Sequence, residues 1–202
     1  ALNIKNSLAP GMMSASDFLM NLQLNGASLE HTWSLMPIRM PVIVIGAGLT
    51  AVDAATEARA YYIALIQRFQ SIWLQQLANR GQEIWGDFTP TERDIIKEWL
   101  DHAEQLKLHG QEECLRRWGD VTIVYRQAIS QSPAYRTNHA ELADAMREGV
   151  LFREHTQPQA VICDKGGWLN ALRCTNTQTS EETMLAAGTV IVATGQQPNV
   201  AY

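Results

Sequence analysis

Val42-Ile43-Val44-Ile45 is a run of four β-branched residues with no polar alternation, and it stops at Gly46-Ala47-Gly48. A strand of that composition is buried on both faces, as in a parallel sheet. The next ten residues, Leu49 to Ala58, are rich in helix formers. A buried strand, a glycine turn and a helix in immediate succession leave few architectures open. The helix must cross back over the sheet, which places the chain in the α/β class. Pro41 opens the unit and a Pro37–Pro41 linker leads into it.

The turn Gly46-Ala47-Gly48-Leu49-Thr50-Ala51 has the form G-x-G-x-x-A. The first glycine permits the sharp bend, the second lets a pyrophosphate approach the backbone, and the third small residue lets the helix pack close to the sheet. A pyrophosphate would rest against free N–H groups at the helix start, where the dipole favours anions. The pattern is short, but its strand–turn–helix setting is the one such a site needs. A structural turn without a ligand is the competing reading.

The expected second parallel strand is Val121-Thr122-Ile123-Val124-Tyr125, with Arg126 80 residues after Gly46. Between them, Ile66, Phe69, Trp73 and Leu77 recur at helical spacing, and Thr89-Pro90-Thr91-Glu92 has the form of a capping box. Removing 61–118 as a helical insertion leaves ordinary βαβ spacing. No acid stands at the strand end to hold a ribose 2′-hydroxyl. Arg126 stands there, and Arg136 follows, both suited to a 2′-phosphate. This favours NADP over NAD; a solvated strand-end arginine is the alternative.

Further on, a helix is expected over Asn138–Arg147, strands over 150–152, 160–163 and 169–173, and a buried strand at Val190-Ile191-Val192-Ala193 before Thr194-Gly195. Lys165-Gly166-Gly167 marks a tight turn. Near the start, Ser14-Ala15-Ser16-Asp17 leads a short helix towards Gly26. The expected architecture is thus a Rossmann-like parallel sheet with helices on both faces, a small antiparallel meander near 150–175 and a helical hairpin insertion.

Charge and cysteines restrict the partners. With 21 acids against 16 bases, the net charge of −5 disfavours nucleic acid. No apolar run reaches a membrane span of roughly 20 residues. Cys114, Cys163 and Cys174 form no C-x-x-C, so no redox dithiol is expected, and a reducing, cytoplasmic location is. No Cys/His spacing suggests a metal. No nucleophile–base pair is visible, so no catalytic side chain is assigned. Asp53 either orients the glycine turn or is a solvated helix acid. His102 fits a core or interface position better than a ligand. Trp73, Trp85, Trp99 and Trp118 either pack internally or form a partner surface.

The ordered motifs resemble the NADPH-binding domain of the glutamate synthase small (beta) subunit and of related flavoprotein oxidoreductases, including the corresponding part of dihydropyrimidine dehydrogenase. The resemblance rests on residues 42–55, on 121–126, on Pro133-Ala134 with 139–150, on 190–199, and on 14–19. It implies an NADPH domain inserted into an FAD domain: 1–40 leads out of an absent FAD domain, 41–60 and 119–202 bind the nucleotide, and 61–118 is an insertion without counterpart in the family. It implies hydride passing from NADPH (NADH less favoured) to FAD held by the rest of the same polypeptide. An iron–sulfur or large catalytic subunit is the possible onward partner. The FAD fingerprint and iron–sulfur cysteines are not in this chain, which begins with Ala, so a fragment inactive alone is expected. Gly46, Gly48, Leu49, Thr50 and Ala51 are expected at the pyrophosphate, Arg126 and Arg136 at the 2′-phosphate, and Thr194, Gly195 and Gln196 beside the nicotinamide. Thr194 and Gly195 also suit a plain strand-end turn. Gln127 stands where the family commonly has a second arginine, and Tyr135 stands at the usual loop arginine. The alternatives are a docking module on a degenerate Rossmann domain, or the same nucleotide domain serving another electron acceptor.

Overall fold

The computed structural model describes residues 4–24, Gly26 and 35–194. A five-stranded parallel sheet is built from β1 (Met12–Ser14), β2 (Val42–Ile45), β3 (Val121–Val124), β4 (Leu151–Arg153) and β8 (Thr189–Val192), in the order β1-β8-β2-β3-β4. β2 pairs with β3 on one side and β8 on the other, Ile45 lying opposite both Val124 and Val192. The chain therefore builds outward from β2 through β3 to β4, then returns to the other flank of β2.

The two faces of this sheet are covered differently. Val42, Val44, Val121, Ile123 and Ile191 face α1 (Ala15–Leu24), α2 (Leu49–Arg80) and α5 (Pro133–Arg147). Ile43, Ile45, Val124 and Val190 face a separate three-stranded antiparallel sheet: β5 (Thr156–Cys163), β6 (Leu169–Asn176) and β7 (Glu182–Ala186). Helices on both faces, expected from sequence, are thus found on one face only. Val161, Leu172 and Cys174 supply the second cover. The meander lies at 156–186 rather than near 150–175, because Leu151–Arg153 pairs in parallel with β3 and the third meander strand is β7.

Helix α2 crosses the sheet on Ala51, Ala54, Ala55 and Ala58, all fully buried. It does not stop where a βαβ crossover would; it runs unbroken past residue 60 to Arg80. A four-residue strand spans ~13 Å, whereas 32 helical residues span ~48 Å. The far half of α2 therefore overhangs the sheet and needs cover of its own. α3 (Pro90–His109) folds back along it, after a 3₁₀ turn over Gly81–Asp87, and α4 (Gln111–Arg117) leads on to β3. The expected capping box is present: the Thr89 hydroxyl accepts from Glu92 N–H, and the Glu92 carboxylate accepts from Thr89 N–H. Trp73 and Trp99 are buried between these elements, with the Trp73 and Trp85 rings 4.7 Å apart. This is the internal packing reading of the tryptophans.

α3 also holds the linker before β2. Trp99 Nε1 donates to Ile38 O at 3.1 Å, and Arg39 Nε donates to both Glu98 carboxylate oxygens. His102 is a packing residue: its ring stacks on Trp118 at 4.1 Å, and its Nδ1 lies 2.6 Å from the Tyr62 hydroxyl. Burial holds the Tyr62 phenol protonated well above its ordinary range, so Tyr62 O–H donates to a neutral His102.

α5 begins at Pro133, not Asn138. Ser132 caps it by accepting from Tyr135 N–H, and Asn138 sits at a kink where it receives Glu141 N–H in turn. Asn138 is thus a second cap within one helix. β1 was unforeseen because a three-residue edge strand carries no periodicity.

At the amino ends of the strands, Arg59 is 6% exposed and donates to Asp120 (Nε to Oδ1, 2.8 Å) and to Glu112. Asp120, 2% exposed, also accepts from Val121 N–H. The triad joins α2, α4 and β3. Arg59→Ala leaves the Asp120 carboxylate buried without its cation and is expected to cost about 3–5 kcal/mol in urea unfolding; a loss under 1 kcal/mol contradicts this. A second prediction concerns pH. Burial lowers the His102 pKa below its ordinary 6.5, so the unfolded chain binds that proton more readily. Its contribution to stability is full above pH ~6.5 and declines as pH falls towards the lower folded value. The wild-type urea midpoint should fall more steeply from pH 7 to 5 than that of His102→Gln.

Candidate functional site

The carboxyl ends of β2, β3 and β8 open into one cleft of about 660 Å³. It lies at β2, where the strand order reverses, which is where open α/β sheets place their ligands. Gly46 N–H donates to Val124 O at 3.1 Å, and Ala193 N–H donates to Ile45 O at 2.9 Å, so the three strand ends are tied together. Gly46 has φ +128°, and a Cβ there would lie 3.0 Å from Ala193 O and 3.1 Å from Ala193 C. Both its conformation and its neighbour require glycine.

Gly48 has the opposite character. Its backbone is extended (φ −87°, ψ 172°), and a Cβ would meet nothing within 4 Å. It is the N-cap of α2 yet offers no side-chain acceptor, and the first turn of α2 contains no acid. Ala51 and Val52 N–H turn back to Gly48 O, while the Leu49 and Thr50 amides have no acceptor among the described residues. The helix start is therefore a set of free donors at its positive end, open to the cleft. The first turn of α5 backs it, with Ala134 N–H on Ala47 O at 3.0 Å.

The structure brings most of the expected site together. Gly46, Gly48, Thr50, Arg126 and Thr194 line the cleft. Leu49 packs against the helix-side core and Ala51 is fully buried; each meets the site through its backbone or by its small size. Arg126 lies just past β3, exposed, with no acidic partner for its guanidinium among the described residues. Arg136 sits exposed in the first turn of α5 and does not line the cleft. Gly195 and Gln196 lie outside the described residues. Asp53 is exposed and makes no hydrogen bond to the glycine turn. Partial burial and the nearby Glu141 raise its pKa, which makes it a helix acid set against another acid.

One wall was not foreseen. Thr156, Gln157, Pro158 and Gln159 of β5, with Ile4, close the cleft opposite the glycine turn. Their approach depends on folding the meander over the sheet, and no local spacing signals it. No acid, histidine or cysteine lines the cleft among the described residues. The three cysteines are free thiols, Cys114 and Cys174 buried. No group of three or more metal-ligating side chains occurs among the described residues, and no described helix is long and apolar enough to cross a membrane. The cleft presents free N–H donors and a guanidinium to whatever enters it, and its hydroxyl groups among the described residues are those of Thr50, Tyr125, Thr156 and Thr194.

A parallel sheet with helices on one face, an antiparallel sheet on the other and an open glycine turn at the strand ends define a Rossmann-like α/β domain. The family description pyridine nucleotide-disulphide oxidoreductase matches residues 9–202, and the chain belongs to that family. An uncharacterized protein of Rickettsia prowazekii (strain Madrid E) is 37% identical over 175 residues, covering 85% of this chain. The chain spans only 23% of that relative's length. Among solved structures, thioredoxin reductase from Lactococcus lactis is similar with a TM-score of 0.49 at 16% identity, over 96% of this chain and 41% of that one. T. acidophilum thioredoxin reductase gives 0.48 at 13%, over 96% and 40%. A ferredoxin reductase from Rhodopseudomonas palustris gives 0.48 at 14%, over 98% and 32%.

The two glycines should respond differently to the same substitution. Gly46→Ala forces a Cβ against the Ala193 backbone and is expected to destabilise by about 1–3 kcal/mol. Gly48→Ala should unfold within about 0.5 kcal/mol of wild type. Equal losses on urea titration would show that the turn is not built in this way.

Proposed function

We propose that this chain is the pyridine-nucleotide-binding part of an FAD-dependent oxidoreductase of the glutamate synthase beta-subunit type, taking NADPH in preference to NADH. The observation that carries the reading is the uncapped start of α2. Gly48 has open space where a side chain would be, and among the described residues the Leu49 and Thr50 amides have no acceptor and Arg126, on the same cleft, has no acidic partner. A diphosphate fits that donor set, because its charge meets N–H dipoles rather than side chains. Arg126 would hold the adenosine 2′-phosphate as a charge-assisted partner. Thr194 would border the nicotinamide half, and Arg136 would reach the adenosine end only from outside the cleft wall.

When bound, the coenzyme supplies a hydride for a flavin, which the rest of the polypeptide would hold. The residues of this chain orient the coenzyme and exclude water from one side of it. Hydride transfer asks the protein to place the coenzyme and needs no base or nucleophile from it. The glutamate synthase type is supported by the order of the motifs at 42–55, 121–126 and 133–150. An iron–sulfur or large catalytic subunit would be the onward partner.

Calorimetric titration of the full-length protein with NADPH and NADH tests the site. NADPH should bind more tightly. Arg126→Gln should weaken NADPH by about 10- to 100-fold, the worth of one charged hydrogen-bonded contact, with little effect on NADH. Binding of neither coenzyme would sink the reading in favour of a docking module. Equal binding of both would remove Arg126 from its role but leave the diphosphate site standing.

A further inference from the structure

The stretch that carries Arg126 is held by the β4–β5 connection and by the β6–β7 turn, while Tyr125 N–H donates to Arg153 O of β4 at 3.0 Å. Tyr125 O accepts from Thr156 N–H at 2.8 Å, and Gln127 O accepts from His155 N–H at 3.3 Å. Ile129 N–H donates to the Glu154 carboxylate. Arg126 O accepts from the Thr177 hydroxyl at 2.8 Å, across 51 residues of sequence. Thr177 is fixed in turn, since its N–H donates to His155 O at 2.8 Å. The turn after it is braced by the Asn176 side chain, which accepts from Gln178 N–H and Thr179 N–H at 2.8 and 3.0 Å. Backbone–backbone bonds fix Tyr125 and Gln127, on either side of Arg126. Thr177 makes the bond to Arg126 itself, and it makes it with an exposed side chain.

We propose that Thr177 is a positioning residue that sets the specificity of the cleft for a 2′-phosphorylated nucleotide by tethering the main chain of Arg126. The inference rests on the coenzyme reading above. Arg126 is exposed and its guanidinium has no acidic partner among the described residues, so its main-chain position sets where the guanidinium can reach. A charged hydrogen bond depends on distance and direction, and a shift of about 0.5–1 Å at the base of the side chain is enough to weaken it. Loss of the tether would act on the 2′-phosphate contact. It would leave the diphosphate contact alone, because α2 and its free amides are built from other elements. The β6–β7 turn is therefore a specificity element, although it does not line the cleft.

The test uses two nucleotide fragments on the full-length protein. 2′,5′-ADP carries the 2′-phosphate and 5′-AMP lacks it. Wild type should prefer 2′,5′-ADP. Thr177→Val should weaken 2′,5′-ADP about five- to tenfold and leave 5′-AMP within about twofold, with an unchanged melting temperature. Thr177→Ser keeps the hydroxyl and should restore wild-type affinity. In an Arg126→Gln background, Thr177→Val should have no further effect, because the residue it positions is gone. Equal weakening of both fragments would assign Thr177 a merely structural role and overturn the proposal. So would no weakening at all, or an undiminished effect in the Arg126→Gln background. If wild type binds both fragments equally, the Arg126 contact and this proposal fail together while the diphosphate site survives. If it binds neither, and neither coenzyme binds, the coenzyme reading itself has failed.

Discussion

Gly46 must turn the chain out of β2 while its Cα lies against the carbonyl of Ala193, and only a residue without a side chain can do both. The rest of the cleft depends on this contact. It lets β8 run alongside β2 to the very end, so that Ala193 N–H still finds Ile45 O. It also releases α2 at an angle that leaves Gly48 and the first amides facing open space. A bulkier residue at 46 would part β2 from β8 and close or misdirect the donors behind it. The glycine at 48 makes no such packing demand. A Cβ there would meet nothing within 4 Å, so the glycine leaves the donors behind it uncovered without any packing need for it among the described residues.

The second constraint is the length of α2. A helix more than three times the length of the strands it covers cannot be satisfied by the sheet. The hairpin with α3, the tryptophan cluster and the 3₁₀ turn at Gly81–Asp87 follow from that overhang. Once present, α3 takes on a further task. By gripping Ile38 O and Arg39, it fixes the segment that leads into β2, and Arg39 N–H in turn donates to Thr189 at the start of β8. The α2–α3 hairpin is therefore joined, through Ile38 and Arg39, to the segment before β2 and to the start of β8.

Local chemistry explains what could be read in advance. β2, β3 and β8 were legible because strands buried on both faces are continuous apolar runs, and the glycine turn because its spacing is tied to backbone geometry. The Thr89–Glu92 box was legible because capping is a matter of four consecutive residues. Three things were not. β7, Glu-Thr-Met-Leu-Ala, is half exposed and polar, and it is a strand because β6 lies beside it. The cover on the second sheet face came from β5–β7 and not from helices, since a strand buried on both faces does not record what buries it. The β5 wall of the cleft, at Thr156–Gln159, is brought in from far along the chain by tertiary packing alone. Arg126 is marked by its place at a strand end, whereas the hydrogen bond its carbonyl accepts from Thr177 comes from 51 residues away and leaves no local signal.

The two ends of the parallel sheet carry opposite chemistry. At the amino ends, the Arg59–Asp120 ion pair is buried, and the exposed Glu112 carboxylate completes the partners of Arg59. At the carboxyl ends, the amides of Leu49 and Thr50 and the guanidinium of Arg126 are donors without acceptors among the described residues. Burying a charge is tolerable only where it is paired, so the first end is built for the fold. Donors left open are tolerable only where solvent or a ligand can reach them, and the second end is open to both. Because strands in a parallel sheet all point one way, the separation is inherent in the topology. A change at the Arg59 end should therefore be felt first in stability, and a change at the Arg126 end first in binding. The meander spans the two requirements: its apolar face covers the sheet through Val161 and Leu172, while its turns reach past the sheet to hold the loop that bears Arg126.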